Sequence, residues 1–210
     1  MLPLLPLALH LLCQGVSAQW SRTPSTCTDA SECLSYITVC RDSEYETRDS
    51  EPSLWVGTHV LHTEGRYRAK ARLTEYFNKK NRPGIQIERT APILTLYTSL
   101  NGDPRPMAVF FLLPRRFLLN PPLPRDELVY LSHAPGQVLF VRPAGALLFR
   151  LERKAQELFE DLLRQRESFL RDRFYVAEYS SPLRLFGRRN EIWYQALGAP
   201  LCAARYGRTL

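Results

Sequence analysis

The chain repeats an order of elements rather than a sequence. Between residues 45 and 196 it passes twice through strand, turn, strand, helix, strand, proline turn, strand. In the first pass, residues 45–48 and 54–60 read as strands, with Glu51-Pro52-Ser53 as the turn between them. Residues 65–80 carry Ala69, Leu73, Tyr76 and Phe77 at spacings of three and four, the stripe of an amphipathic helix. Asn81-Arg82-Pro83-Gly84 ends that helix, and residues 85–88 and 93–97 read as strands on either side of Pro92. The second pass has strands at 128–131 and 137–141 joined by Ala134-Pro135-Gly136, a helix over 146–170, and strands at 174–179 and 191–196. Ala91-Pro92 in the first pass matches Ser181-Pro182 in the second.

Three further segments fit that plan. Residues 35–40 make a short β-rich stretch, and Asn101-Gly102-Asp103 reads as a hairpin turn. Residues 107–113 are almost continuously apolar, as in a strand buried on both faces. The stiff Asn120-Pro121-Pro122-Leu123-Pro124 stretch reads as the connector between the halves. Two similar halves of this kind predict an α+β domain: a distorted antiparallel β-barrel flanked by two helices, with two pseudo-symmetric halves.

The ends carry a different signal. Residues 1–18 contain no charged side chain, are rich in Leu as far as Leu12, and finish on Val16-Ser17-Ala18. This is the pattern of a secretory signal peptide cleaved before Gln19. Cys13 leaves with it, and Cys27, Cys33, Cys40 and Cys202 remain. Four cysteines in an oxidising compartment predict two disulfides, with three possible connectivities. If all four pair, at least one bridge ties the N-terminal region to the tail. The spacings between the first three do not suit a zinc knuckle. The domain reading is a signal over 1–18, an irregular cysteine-containing arm over 19–35, the folded domain over 36–198, and a tail over 199–210 with Cys202.

The charge balance narrows the function classes. The net charge is +7, from 24 Arg and only 4 Lys among the cations. Arg suits planar recognition of carboxylates and phosphates. The basic residues form no run longer than a pair, as at Arg115-Arg116, so nucleic-acid binding is not expected. No stretch of 18 or more apolar residues occurs, and no membrane span is expected. There is no HExxH, no GxSxG and no Walker loop. Glu157, Glu160 and Asp161 share a helix and read as a solvated face rather than a catalytic pair. The residues themselves therefore predict a secreted, non-enzymatic α+β domain.

Five ordered blocks carry a resemblance. Gly187-Arg188-Arg189-Asn190-Glu191-Ile192-Trp193 is similar to the string before the last strand of the SOUL haem-binding protein family. Tyr45-Glu46-Thr47-Arg48 with Trp55-Val56 resembles the family's opening block. Tyr76, Asn81, Ile85 and Thr90-Ala91-Pro92-Ile93 resemble the next block, and Phe117 with residues 120–124 resembles the family's connector. Tyr175, Tyr179, Ser181 and Pro182 match its last turn. The likeness spans residues 36–197.

The resemblance implies the barrel and two helices derived above, and it implies a ligand. Haem or a free porphyrin would lie in a shallow apolar pocket between the first helix and the turn before the last strand. Basic side chains would meet its propionates. Carried over, the helix supplies Arg66, Tyr67 and Lys70, and the turn supplies Leu183, Arg184 and Phe186. Two positions depart from the family pattern: Glu75 stands where a basic residue is expected, and Asp49 where some members carry a histidine. The shared Trp55, Tyr76 and Trp193 read as core, and Arg188, Asn190 and Glu191 as a stabilising polar network. The resulting expectation is a secreted, monomeric haem or porphyrin carrier with no metal site of its own, for which His59, His62 and Tyr67 are the conceivable axial ligands of the haem iron. The alternative is an extracellular interaction protein that kept the fold and lost the ligand.

Overall fold

The computed structural model describes residues 27, 29–98, 104–145, 151–180 and 188–202. The signal segment 1–18, the Asn101-Gly102-Asp103 turn and most of the tail lie outside the described residues. In chain order the elements are β1 (Glu32–Cys33), β2 (Tyr36–Arg41), β3 (Glu46–Ser50), β4 (Ser53–His59), α1 (Arg66–Phe77), β5 (Thr90–Ala91), β6 (Ile93–Thr98) and β7 (Arg105–Leu112). They continue with β8 (Val129–Ala134), β9 (Gln137–Pro143), α2 (Leu151–Arg164), β10 (Arg173–Glu178) and β11 (Asn190–Gln195).

Nine strands form one antiparallel sheet, strongly curled into a half-barrel, in the order β2-β3-β9-β11-β10-β6-β7-β4-β8. Counted outward from the β10–β6 junction, one side runs β10, β11, β9, β3 and the other runs β6, β7, β4, β8. These are equivalent strands of the two halves, so the expected pseudo-symmetry is present. The halves also exchange strands. β3 pairs with β9 of the second half, and β8 pairs with β4 of the first.

One detail of the repeat is corrected. Residues 85–88 form no strand, and only Gln86 makes an isolated bridge, to Asn78. Pro92 therefore precedes β6, whereas Pro182 follows β10, the equivalent strand. The two prolines do not correspond. The second helix also ends sooner than its apolar pattern suggests. Arg166 takes a positive φ of 60°, and Phe169 then bridges to Ala196 beside the sheet.

Strand alternation sorts the side chains into an outer and an inner layer. On the outer face of the first half, Ala69, Leu73, Tyr76 and Phe77 of α1 pack on Leu54, Val56, Val109 and Phe111. On the second half, Leu151, Ala155, Leu158 and Leu162 of α2 pack on Phe140, Phe174, Val176, Ile192 and Tyr194. Leu54, Val56, Leu73, Leu158 and Leu162 are fully buried. Each such aliphatic side chain is worth about 1.5–3 kcal/mol of burial. The apolar run of β7 is buried from both sides as expected, with Val109 and Phe111 facing outward and Phe110 and Leu112 inward.

The inner face holds Trp55, Leu94, Leu112, Leu139, Val141, Tyr179 and Trp193. The N-terminal arm lies against it. β1 pairs with β5 in parallel, and Cys33, Leu34 and Cys27 join the inner cluster. Both disulfides form: Cys27–Cys33, with Cα atoms 5.9 Å apart, and Cys40–Cys202, at 6.2 Å. The second staples edge strand β2 to the C-terminal tail, 162 residues away.

Asp161 is not on a solvated face. It is 5% exposed and ion-pairs with Arg142, which projects from the outer side of β9 beneath α2.

Candidate functional site

The helix residues singled out above stand on one exposed edge of α1, beside the junction of β6 and β10. Gly65 starts the helix in extended backbone, without a side-chain cap. One turn in, Ala69 faces the sheet, which leaves Arg66, Tyr67 and Lys70 on the flank. Tyr67 is 68% exposed, and the Arg66 guanidinium sits 5.0 Å from its ring centroid. Arg66 also donates to the Tyr97 hydroxyl at 2.9 Å and to the Tyr67 hydroxyl at 3.2 Å. Neither acceptor is an acid, so the Arg66 charge is held in place without being neutralised. Burial lowers the Arg66 pKa, and the two phenol oxygens outweigh it and leave it raised. Tyr97 is pushed up by burial, with Arg66 pulling the other way.

Lys70 differs. Its ammonium donates to Glu178 Oε1 at 2.5 Å, with both side chains only about one-fifth exposed (18% and 20%). That contact spans from α1 to the end of β10, immediately before the turn that carries the other predicted contacts. Leu183, Arg184 and Phe186 lie outside the described residues. The structure thus brings Arg66, Tyr67 and Lys70 together, and it adds Tyr97 and Glu178, which the sequence reading did not name. Tyr97 stacks on Phe174 with ring centroids 5.4 Å apart and an interplanar angle of 7°. The end-of-strand positions of Tyr97 and Glu178, next to the helix start and the Pro182 turn, were the only signal in the sequence for either.

A second polar assembly lies on the inner face and is sealed. Arg48 of β3 donates to both carboxylate oxygens of Glu191 on β11, at 2.9 and 3.2 Å. The side chains are 7% and 4% exposed. Glu191 also accepts from Trp193 Nε1 at 2.8 Å and from the buried Tyr179 hydroxyl. Burial, then the Glu191 charge, hold Tyr179 well above the usual phenol value. Glu46 accepts from Arg48 at 2.9 Å. This network joins the Glu191 and Trp193 of the C-terminal block to the Arg48 of the opening block, so those shared residues hold the fold. Asn190 likewise donates to the Gly145 carbonyl.

The chain matches the family described as SOUL heme-binding protein over residues 31–195. It belongs to the SOUL family. Heme-binding protein 2 of Mus musculus is 27% identical over 157 residues, covering 71% of this chain and 76% of that protein. Heme-binding protein 1 of Mus musculus is 26% identical, covering 72% and 84%. Heme-binding protein 2 of Homo sapiens is 26% identical, covering 71% and 76%. Among solved structures, the EcmrR C-terminal domain superposes with a TM-score of 0.53 at 12% identity, covering 74% of this chain and 99% of that one. An uncharacterized conserved protein from Listeria innocua gives 0.52 at 11% identity, covering 76% and 94%. These two share the fold.

The outer edge of α1 can be tested against the ligand of SOUL proteins. Arg66 and Tyr67 fit: an exposed aromatic ring beside an unneutralised guanidinium suits a flat ring bearing carboxylates. Lys70 fits only as a strut, because Glu178 already takes its charge. Among the described residues, no group of three or more His, Cys, Asp or Glu could hold a bare metal ion.

Proposed function

We propose that this SOUL-family chain is a secreted, monomeric and non-catalytic carrier of haem or free porphyrin. The observation that carries the reading is family membership across the whole curled sheet, and the Arg66–Tyr67 pair supports a ligand at the outer edge of α1. The ring would lie against Tyr67, Leu183 and Phe186, and Arg66 and Arg184 would take the propionates. Lys70, through Glu178, would hold the β10 wall beside α1. Bound haem would supply an iron centre; the protein's part is to bind and orient the ring. Two disulfides support an oxidising compartment, and no helix among the described residues is long and apolar enough to cross a membrane.

The test is a haemin titration of the cleaved protein followed at the Soret band, with iron-free protoporphyrin in parallel. Saturation at one site is expected. Arg184→Ala should weaken it by roughly 1–3 kcal/mol, the scale of a hydrogen bond to a charged group. No saturable binding of either compound at micromolar concentration would overturn the carrier reading. It would favour an extracellular interaction protein, a reading supported by the Lys70–Glu178 ion pair across the edge of α1 and by Glu75 on the same helix.

A further inference from the structure

The inner face of the sheet opens at one end into a pocket of about 390 Å³. Leu96, Met107, Ala108, Phe110 and Tyr130 form its apolar floor, and His59 stands against Tyr130 with ring centroids 5.2 Å apart. The volume is in the range of small-molecule sites. It lies on the side of the sheet opposite α1, because Leu54, Val56, Val109 and Phe111, which α1 covers, alternate with the residues that face it.

Three features show that the floor is built rather than left over. Gly57 sits mid-strand in β4, and a Cβ there would fall 2.7 Å from the Phe110 ring and 3.0 Å from the Tyr130 ring. Glycine is therefore what lets both rings pack closely over the strand. Phe110 and Tyr130 meet edge to face with centroids 6.2 Å apart. The β6–β7 ladder slips between Leu96 and Tyr97, and this irregularity leaves Met107 half-exposed at the pocket edge (48%).

The rim carries both signs: Arg173 and Asp172 line it, and Arg105 stands beside it. Thr98 lines the pocket, and the register sets Arg105 of β7 and Arg173 of β10 directly opposite it. Directly opposed residues of an antiparallel pair share a face, so both guanidiniums flank Thr98 on this side. Arg173 holds Asp172 in an exposed ion pair, its side chain 47% exposed and the acid's 39%. Solvent screens exposed pairs, so an anion at the mouth competes with Asp172 for Arg173. Arg105 has no acidic partner among the described residues.

We propose that this mouth binds a flat apolar anion: an aromatic ring system lying on Phe110, Tyr130 and Leu96, its acid group taken by Arg105 and Arg173. Tyr97 lines this pocket and also accepts from Arg66 at the edge of α1, but the proposal does not depend on tetrapyrrole binding there.

The probe is 1-anilinonaphthalene-8-sulfonate, with its neutral analogue N-phenyl-1-naphthylamine as the control, added to the full disulfide-bonded chain. Trp55 and Trp193 line the cavity just beyond Phe110 and report proximity by energy transfer. The Arg105→Ala/Arg173→Ala double variant should lose roughly tenfold in affinity for the sulfonate and keep its affinity for the neutral compound. Met107→Glu, at an exposed position that leaves folding intact, should weaken the sulfonate selectively too. Arg66→Ala should leave unchanged the sulfonate binding that draws energy transfer from Trp55 and Trp193. Equal sulfonate affinity in wild type and the double variant overturns the proposal, as does no binding at all. Loss in Arg66→Ala instead would place the anion on the outer face and overturn it equally. Haemin that fails to bind while the sulfonate binds as expected would overturn the carrier reading and leave this one standing.

Discussion

The two faces of the curled sheet hold their charges in opposite ways. On the outer face, Lys70 is met by Glu178 and Arg142 by Asp161, acids of the neighbouring element, and Arg66 at the exposed helix edge meets hydroxyls instead. On the inner face, charge is buried, as in Arg48–Glu191, or stands at the mouth, where Arg173 holds the exposed Asp172 and Arg105 meets no acid among the described residues. Helices cover the outer layer, so a cation there finds a protein partner or costs desolvation. Among the described residues no helix lies over the mouth of the concave side, and the N-terminal arm packs against its other part. The difference teaches where a ligand can contribute charge that the fold does not already supply.

The largest test of the comparison uses the disulfides, which fall on opposite faces. Cys27–Cys33 packs with the inner cluster, and Cys40–Cys202 packs with Val39 outside it. The loops they close differ greatly, with separations of 6 and 162 residues. Chain entropy then predicts a loss of about 5 kcal/mol for the Cys40→Ser/Cys202→Ser pair and about 2 kcal/mol for Cys27→Ser/Cys33→Ser. Urea unfolding of both double variants measures it. Equal losses would mean that the arm holds the inner face as firmly as the tail holds the outer.

The next effect separates a sealed ion pair from a half-open one. Glu191→Ala leaves the buried Arg48 with Glu46 as its remaining acid and takes the acceptor from Trp193, and should cost up to about 3–5 kcal/mol. Glu178→Ala leaves Lys70 able to reach water and should cost less than about 1 kcal/mol. Similar melting temperatures for the two variants would break the distinction between the faces. Gly57→Ala comes third. Its methyl group meets Phe110 and Tyr130 within 3.0 Å, so overpacking should cost about 1–3 kcal/mol. It should also lower anilinonaphthalene sulfonate binding at the mouth, which Glu178→Ala should not do.

Much of this architecture is legible in the sequence, because each half must alternate with a period of two in its strands and 3.6 in its helix. The pseudo-symmetry, both helices and the doubly buried β7 follow from those periods. Register does not follow from them. The exchange of β3 and β8 between halves, and the Arg48–Glu191 pair across 143 residues, depend on which strands lie side by side. The same limit explains the mismatched prolines: residues 85–88 alternate like a strand, yet no neighbour pairs with them beyond Gln86. Asp161 misleads for a related reason, since its partner Arg142 reaches it from β9 and not from its own helix. At the site, Arg66, Tyr67 and Lys70 were reached through the family likeness. Arg105 and Arg173 are two of 24 arginines with no local motif, and only the ladder sets them on either side of Thr98.

The smallest expected effect contrasts two acids three residues apart on β3. Glu46 is on the inner side; burial alone would raise its pKa, but hydrogen bonds from Arg48, Thr38 and Arg41 outweigh it and leave it lowered. Asp49 is on the outer side, and burial raises it with no cation to oppose. A depressed pKa gives stability that is present above the unfolded value and is lost as pH falls through the folded one. A raised carboxylate gives the reverse: its contribution is full below the unfolded value and is lost as pH rises through the folded one. At pH 7, Glu46→Gln should therefore lower the melting temperature and Asp49→Asn should raise it. As pH falls, Asp49 protonates above its ordinary value and Glu46 only below its own, and each difference should shrink as its own acid protonates. If the two variants shifted stability in the same direction at pH 7, the contrast between the faces would not extend to the edge of the sheet, and the charge pattern at the mouth would need an explanation other than the absence of a covering helix.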